Sequence, residues 1–189
     1  GEAADALPAD LARALRTTAA HSTLTLGDRN STAVHDDGSL GRGVGQVELA
    51  RDETANIVRL EGSHDGYCRR FGLVHWRQLV LSPDGRELRG EDRLLHEGRK
   101  KSAQPVPFAV RFHLGPNVEV TTTADGQGAL LRLPGKLLWQ FRCRGGALAV
   151  EDSLWIDGRA RPRSTLQLVI SGETPPDGMT IGWQFNRAS

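Results

Sequence analysis

What this chain has little of narrows its options first. Only two cysteines, Cys68 and Cys143, occur in 189 residues. Their spacing fits no metal motif, so they allow at most one disulfide, and both fall in stretches that read as strands, where a free cysteine packs as a small hydrophobe. Lysine is nearly absent: Lys100, Lys101 and Lys136 are the three examples. Basic and acidic residues balance at 24 against 23, a net charge of +1, which leaves no global field to gather nucleic acid or a membrane surface. No apolar run approaches the roughly 20 residues that cross a bilayer, and no basic segment followed by an apolar one opens the chain. Gly-rich phosphate loops, a serine nucleophile elbow and basic-aromatic patches are missing as well. Arginine dominates the basic residues. Guanidinium groups suit bidentate contact with carboxylates or sulfates, as on an acidic sugar, although a GC-rich genome gives the same composition.

What is present is punctuation. Six Asp-Gly dipeptides begin at Asp37, Asp65, Asp84, Asp125, Asp157 and Asp177, and Asp-Gly readily supplies the positive φ of tight hairpins. Between them apolar residues alternate: Phe108, Val110, Phe112 and Leu114; Leu166, Leu168 and Ile170; Leu148 and Val150, continued at Leu154 and Ile156. A period of two is a half-buried strand. The segment 71–81 is apolar on both parities, which predicts a central strand covered on both faces. Trp76 and Phe112 are expected in the core, and core packing is the favoured role of all four tryptophans. Only 9–18 reads as a helix, with Pro8 at its first turn and Leu11, Ala12 and Leu15 at helical spacing. The stretch 97–107 reads as a solvated loop. The fold expected is therefore all-β: one large antiparallel β-sandwich of the supersandwich kind over 1–189, with one short N-terminal helix.

Two polar signatures interrupt this pattern, Ala20-His21-Ser22-Thr23-Leu24 and Ser63-His64-Asp65-Gly66-Tyr67. The second reads either as a hairpin turn or as a contact site. In the site reading Asp65 orients His64, and Tyr67, the only tyrosine, offers a phenol to a sugar hydroxyl or ring. Asn30, in the polar loop 27–32, is a turn former first and a substrate contact second. The run Leu88-Arg89-Gly90-Glu91-Asp92-Arg93 alternates charge as a strand with cross-strand ion pairs does.

The second signature continues through Arg69-Arg70-Phe71-Gly72-Leu73-Val74-His75 to Ser82-Pro83-Asp84-Gly85 and Leu88-Arg89-Gly90-Glu91-Asp92. With the first, it resembles the C-terminal β-domain of bacterial heparinase II/III-like proteins, a family containing polysaccharide lyases. The resemblance implies the C-terminal part of a longer bacterial protein, periplasmic or cytoplasmic, whose N-terminal (α/α) toroid is absent from this chain. It implies an acidic polysaccharide as partner, cleaved by β-elimination next to a uronate, with the catalytic base and acid on the toroid. It also places His21 at a zinc-ligand position of the family, whose other ligands, a histidine and an aspartate, lie upstream. Nothing upstream of His21 matches them, so the zinc site is incomplete here, no cofactor is expected in this chain, and zinc belongs to the full-length protein. Asn30, His64, Asp65 and Tyr67 are the candidate substrate contacts, expected with His21 at one end of the sandwich. The alternative is a non-catalytic carbohydrate-binding or interaction module.

Overall fold

The computed structural model describes residues 7–97 and 104–188, and most of them are strand. Two antiparallel sheets face each other. The smaller contains β1 (Leu24–Leu26), β6 (Val106–His113), β11 (Pro162–Thr174) and β10 (Ala147–Ile156), in that spatial order. The larger runs β2 (Val47–Glu53), β3 (Val58–His64), β4 (Leu73–Leu81), β5 (Glu87–His96), β12 (Gly178–Arg187), β9 (Leu138–Arg144), β8 (Gly128–Arg132) and β7 (Glu119–Thr122). The chain crosses between the sheets five times; the last two crossings fall at Gly145, where φ is +90°, and at Gly178, where φ is +91°.

Three of the six Asp-Gly dipeptides close hairpins between adjacent strands, and two of these share one design. Asp84 Oδ1 accepts the Ser82 hydroxyl at 2.6 Å and the Arg86 N–H at 3.0 Å. Asp125 repeats this with the Thr123 hydroxyl at 2.6 Å and the Gln127 N–H at 3.1 Å. The aspartate organises the turn while the following glycine takes the positive φ that a side chain resists. At Asp157 the carboxylate takes the N–H groups of Arg159 and Arg161 instead.

The alternating residues meet between the sheets. Phe112 of the small sheet packs edge-on against Trp183 at 4.7 Å between ring centroids, and tilts against Phe141 at 5.3 Å. Leu24, Val110, Leu168 and Ile170 close the core from one side, and Leu94, Ile181 and Phe141 from the other.

Several expectations need correction. The helix is shorter than 9–18: α1 spans Ala9–Ala14, followed by a single 3-10 turn at Thr18–Ala20. Phe71 is not in a strand, because Cys68–Phe71 forms a one-turn helix, α2, closed by Gly72 in the left-handed region at φ +70°. Strand β4 is central but covered on one face only. Trp76 on its outer face is half-buried, with the Arg93 guanidinium 4.5 Å above the ring. Trp155 is exposed on β10. Phe112 and Trp183 lie in the core, as does Cys143; Cys68 is half-buried in α2, and both cysteines are free. The loop expected over 97–107 falls largely outside the described residues, and its last two positions already belong to β6.

Candidate functional site

The second signature ends β3 and enters α2, and it anchors a hydrogen-bonded array that crosses three more strands. Register sets His64 opposite His75 on β4, and Arg77 opposite Asp92 on β5. All four share the parity that faces the small sheet. The Gly66 N–H donates to His64 Nδ1 at 3.2 Å, so a neutral His64 carries its proton on Nε2 and donates it to His75 Nδ1 at 3.1 Å. The His75 proton is then on Nε2, donated to Asp92 Oδ1 at 2.6 Å. One backbone N–H thus fixes the tautomer of two imidazoles in series.

Asp92, fully buried, is the terminus of this chain and of two more. Its Oδ1 also accepts Arg77 Nε at 2.7 Å, and its Oδ2 accepts Arg77 Nη2 at 2.9 Å and Trp183 Nε1 at 2.8 Å. Burial by itself would raise this carboxyl. The hydrogen bonds from His75 and Arg77, with the guanidinium charge, overrule it and hold the group down to about 2. Burial, reinforced by the neighbouring His75, lowers His64 to about 4.

The two signatures are joined through strand β1. Arg77 Nη1 donates to the Ser22 carbonyl at 2.6 Å, and the Tyr67 hydroxyl donates to the Leu24 carbonyl at 2.9 Å. Tyr67 is 1% exposed, which corrects its assignment as a sugar contact: its ring fills the core and its hydroxyl is spent on backbone. Asp65 does not orient His64. Its Oδ1 accepts the Gly45 and Gln46 N–H groups at 2.7 and 3.0 Å, pinning the loop that enters β2. Asn30 Oδ1 accepts the Thr18 N–H at 2.9 Å, which ties loop 27–32 to the 3-10 turn. A side chain at Gly66 would run into the Ser31 backbone, so this loop and the second signature lie in contact.

His21 is exposed at the mouth of β1. Among the described residues no group of three His, Cys, Asp or Glu side chains is placed to hold a metal ion. His113, near enough for its charge balance to feel His21, is occupied by the Ser153 hydroxyl at 2.7 Å on Nδ1 and the Ala19 carbonyl at 3.0 Å on Nε2.

Among the hollows on the large sheet, two bear on sugar contact. One, about 310 Å³, lies beside His64 and is lined by Glu48, Ser63, Asp65, Trp76 and Glu97. Its carboxylates repel a uronate or sulfate. Burial, then Glu97, pushes the bordering Cys68 thiol up to about 11, so it is no thiolate nucleophile at neutral pH. The other, about 340 Å³, lies on the outer face over β5, β12 and β9 and carries Arg89, Arg142 and Arg144 against one carboxylate, Glu91.

Sequence reasoning missed His75, Arg77, Asp92 and Trp183 as members of one array. Parity was a partial signal: His75 and Arg77 share theirs with Leu73 and Leu79, and Asp92 shares its own with Leu94, but the opposite parity of β4 is also apolar at Val74, Trp76 and Val80, so only the cross-strand register fixes the inward face.

Two antiparallel sheets stacked on an aromatic core, with one buried carboxylate gathering the polar array, define a β-sandwich domain. The model of the heparinase II/III-like C-terminal family matches residues 3–184, and the chain belongs to that family. The heparan sulfate lyase HepC of Pedobacter heparinus superposes over 95% of this chain with a TM-score of 0.76 at 12% identity. A further heparinase III structure does so over 96% with 0.65 at 15%. FtsZ-localized protein C of Caulobacter vibrioides is 34% identical over 86% of the chain. The chain spans about a third of that curated relative, 32%, and about a quarter of the lyase structures, 26% and 25%.

Two consequences of these contacts are measurable. Tyr67→Phe is expected to cost about 1 kcal/mol, the net value of one buried hydrogen bond, read as a lower denaturant midpoint at unchanged slope. An unchanged midpoint would mean the Leu24 bond contributes nothing. Acid should act in two stages. His64 titrates near 4 folded against 6.5 free, so the unfolded chain takes up the proton first. Its contribution is complete above about pH 6.5 and is lost as pH falls toward 4. Asp92, at about 2 against 3.8, contributes fully above about pH 4 and loses that contribution as pH falls through 2. Glutamine at position 64 can accept from Gly66 and donate to His75 without titrating. His64→Gln is therefore expected to flatten the upper stage of a thermal-midpoint profile and leave the lower one.

Proposed function

We propose that this chain is the non-catalytic β-sandwich of a heparinase II/III-like parent protein, forming one wall of a cleft for an acidic polysaccharide and inactive by itself. The observation that carries this reading is the closure of the His64–His75–Asp92–Arg77–Trp183 array. Each ring nitrogen of both histidines is engaged, and both carboxylate oxygens of Asp92 accept two hydrogen bonds. Such a set holds a wall in shape and leaves no base aimed at a substrate proton. Elimination at a uronate needs a base, an acid for the departing oxygen and a neutralised carboxylate; in this reading the toroid of the parent supplies the first two. His21 would contribute to zinc binding there only with ligands from upstream. The test compares the chain with its full-length parent on heparan sulfate and on alginate, following the absorbance of unsaturated uronic products. Product from the parent and none from the chain is expected. Product from the chain alone would overturn the reading.

A second reading is favoured by the 34% identity with FtsZ-localized protein C, well above the 12% with HepC. In it the domain is an interaction module of a parent that performs no elimination and localises with FtsZ, as that relative's name states for itself. A parent that yields no unsaturated product and whose fluorescent fusion co-localises with labelled FtsZ supports this second reading over the first.

A further inference from the structure

The hollow on the outer face of the large sheet is built differently from the rest of the surface. Register places Arg59, Val80, Arg89, Gln184 and Arg142 in one row across β3, β4, β5, β12 and β9, all with the same parity. Strands lie about 4.8 Å apart, so arginines recur about every 10 Å across the sheet. The neighbouring row runs Glu61, Gln78, Glu91, Gly182 and Arg144. Glycine shapes the floor: a side chain at Gly182 would collide with that of Arg144, and one at Gly128 with that of Arg142, so both arginine stems lie flat across the strands.

These guanidiniums are incompletely neutralised. Arg142 pairs with Asp125 at the rim at 2.8 Å, and Arg144 reaches Glu91 at 3.4 Å, a carboxylate already shared with Arg93. No ion pair or hydrogen bond to the Arg89 side chain occurs among the described residues, and the buried Nε of Arg59 has no partner there. Gln184 adds an amide donor and acceptor beside the apolar Val80, and Gln78, whose amide N–H donates to Glu61 at 2.6 Å, adds its carbonyl as an acceptor.

We infer that this row is a binding site for a linear acidic polysaccharide lying across the strands, its carboxylates or sulfates on Arg89 and Arg142 and its hydroxyls on Gln78 and Gln184. For the identity of the ligand this rests on the acidic-sugar reading above; the site itself rests on the row. A sugar fits better than an acidic peptide because this is a sheet face and not an edge. Its backbone groups are all paired within the ladder, so an extended peptide finds no strand to join and can bind only through its side chains. A stiff polyanion with regularly spaced acidic groups matches fixed forks at a fixed spacing.

Calorimetric titration of the 189-residue chain tests this with three probes: a sulfated octasaccharide from heparin, an unsulfated oligogalacturonate, and polyglutamate of equal charge. Wild type is expected to bind at least one of the oligosaccharides more tightly than polyglutamate. Arg89→Ala and Arg142→Ala should each weaken that binding roughly tenfold, the value of a charge-assisted bidentate contact. Both residues are surface groups, so the thermal midpoint serves as the control for folding. Arg89→Lys should recover part of the loss, because it keeps the charge and loses the fork. Oligosaccharide binding that both alanine variants retain would overturn the row while leaving the acidic-sugar reading in place. Equal or tighter binding of polyglutamate through the same arginines would overturn the sugar as occupant. Absence of binding by all three probes would overturn the site, whereas the acidic-sugar reading stands or falls on the parent's unsaturated products.

Discussion

Replacing Asp92 with alanine is expected to be the most damaging single change outside the apolar core, lowering stability by about 3–5 kcal/mol. The carboxylate is fully buried and accepts four hydrogen bonds, from His75, Trp183 and twice from Arg77. Its removal strands a largely buried guanidinium with only the Ser22 carbonyl as partner, and it leaves an indole N–H and an imidazole without acceptors. Domains of this kind rest on about 5–15 kcal/mol in total, so the variant should be marginal. Urea titration gives the measurement. Asp92→Asn separates shape from charge: the amide preserves packing but turns a donor toward donors, and an intermediate loss is expected. An unfolding free energy for Asp92→Ala within about 1 kcal/mol of wild type would show that the array is not a stabilising element.

Gly90→Ala is expected to cost about 1–3 kcal/mol although it adds a single methyl group. Gly90 lies opposite Trp183 on the inner parity of β5, and a Cβ there would clash with the indole ring at its Cζ2. The ring must shift, and with it go its edge-on contact with Phe112 and its hydrogen bond to Asp92. The two substitutions therefore damage the same assembly. A Gly90→Ala/Asp92→Ala double variant should lose less than the sum of the single losses, because contacts already broken cannot be broken again. Strict additivity would show that Trp183 and Asp92 act independently.

The fold was legible where the chain speaks locally. Phe108, Val110 and Phe112 announced a strand by alternation, and Asp84-Gly85 and Asp125-Gly126 announced turns whose side-chain bonds are made within a few residues. Sheet membership was not legible, since nothing in the period of β12 says that it inserts between β5 and β9. The candidate site failed for a related reason. Asp92 stands among Arg89, Glu91 and Arg93 and reads as one more charge in an exposed ladder; only its cross-strand partners, Arg77 and a tryptophan 91 positions away, make it the buried one. Tyr67 misled in the opposite sense. A lone tyrosine beside a histidine suggests recognition, yet a phenol's polar tip also suits a core position that needs one hydrogen bond to a strand carbonyl.

The unequal width of the two sheets gives the molecule a direction. At one margin of the large sheet β7 has four residues, and at the other β2 has seven, all exposed, with Val47 and Leu49 at 69% and 72%. A short margin ends a sheet; a long one is a template on which another strand can form. Strand β2 guards itself with Glu48, Arg51, Asp52 and Glu53, whose mixed charge rejects an indiscriminate neighbour. Any strand that did continue the sheet there would have to answer those charges in register and shelter Val47 and Leu49, so the architecture is extensible on one flank and by a narrow class of sequence.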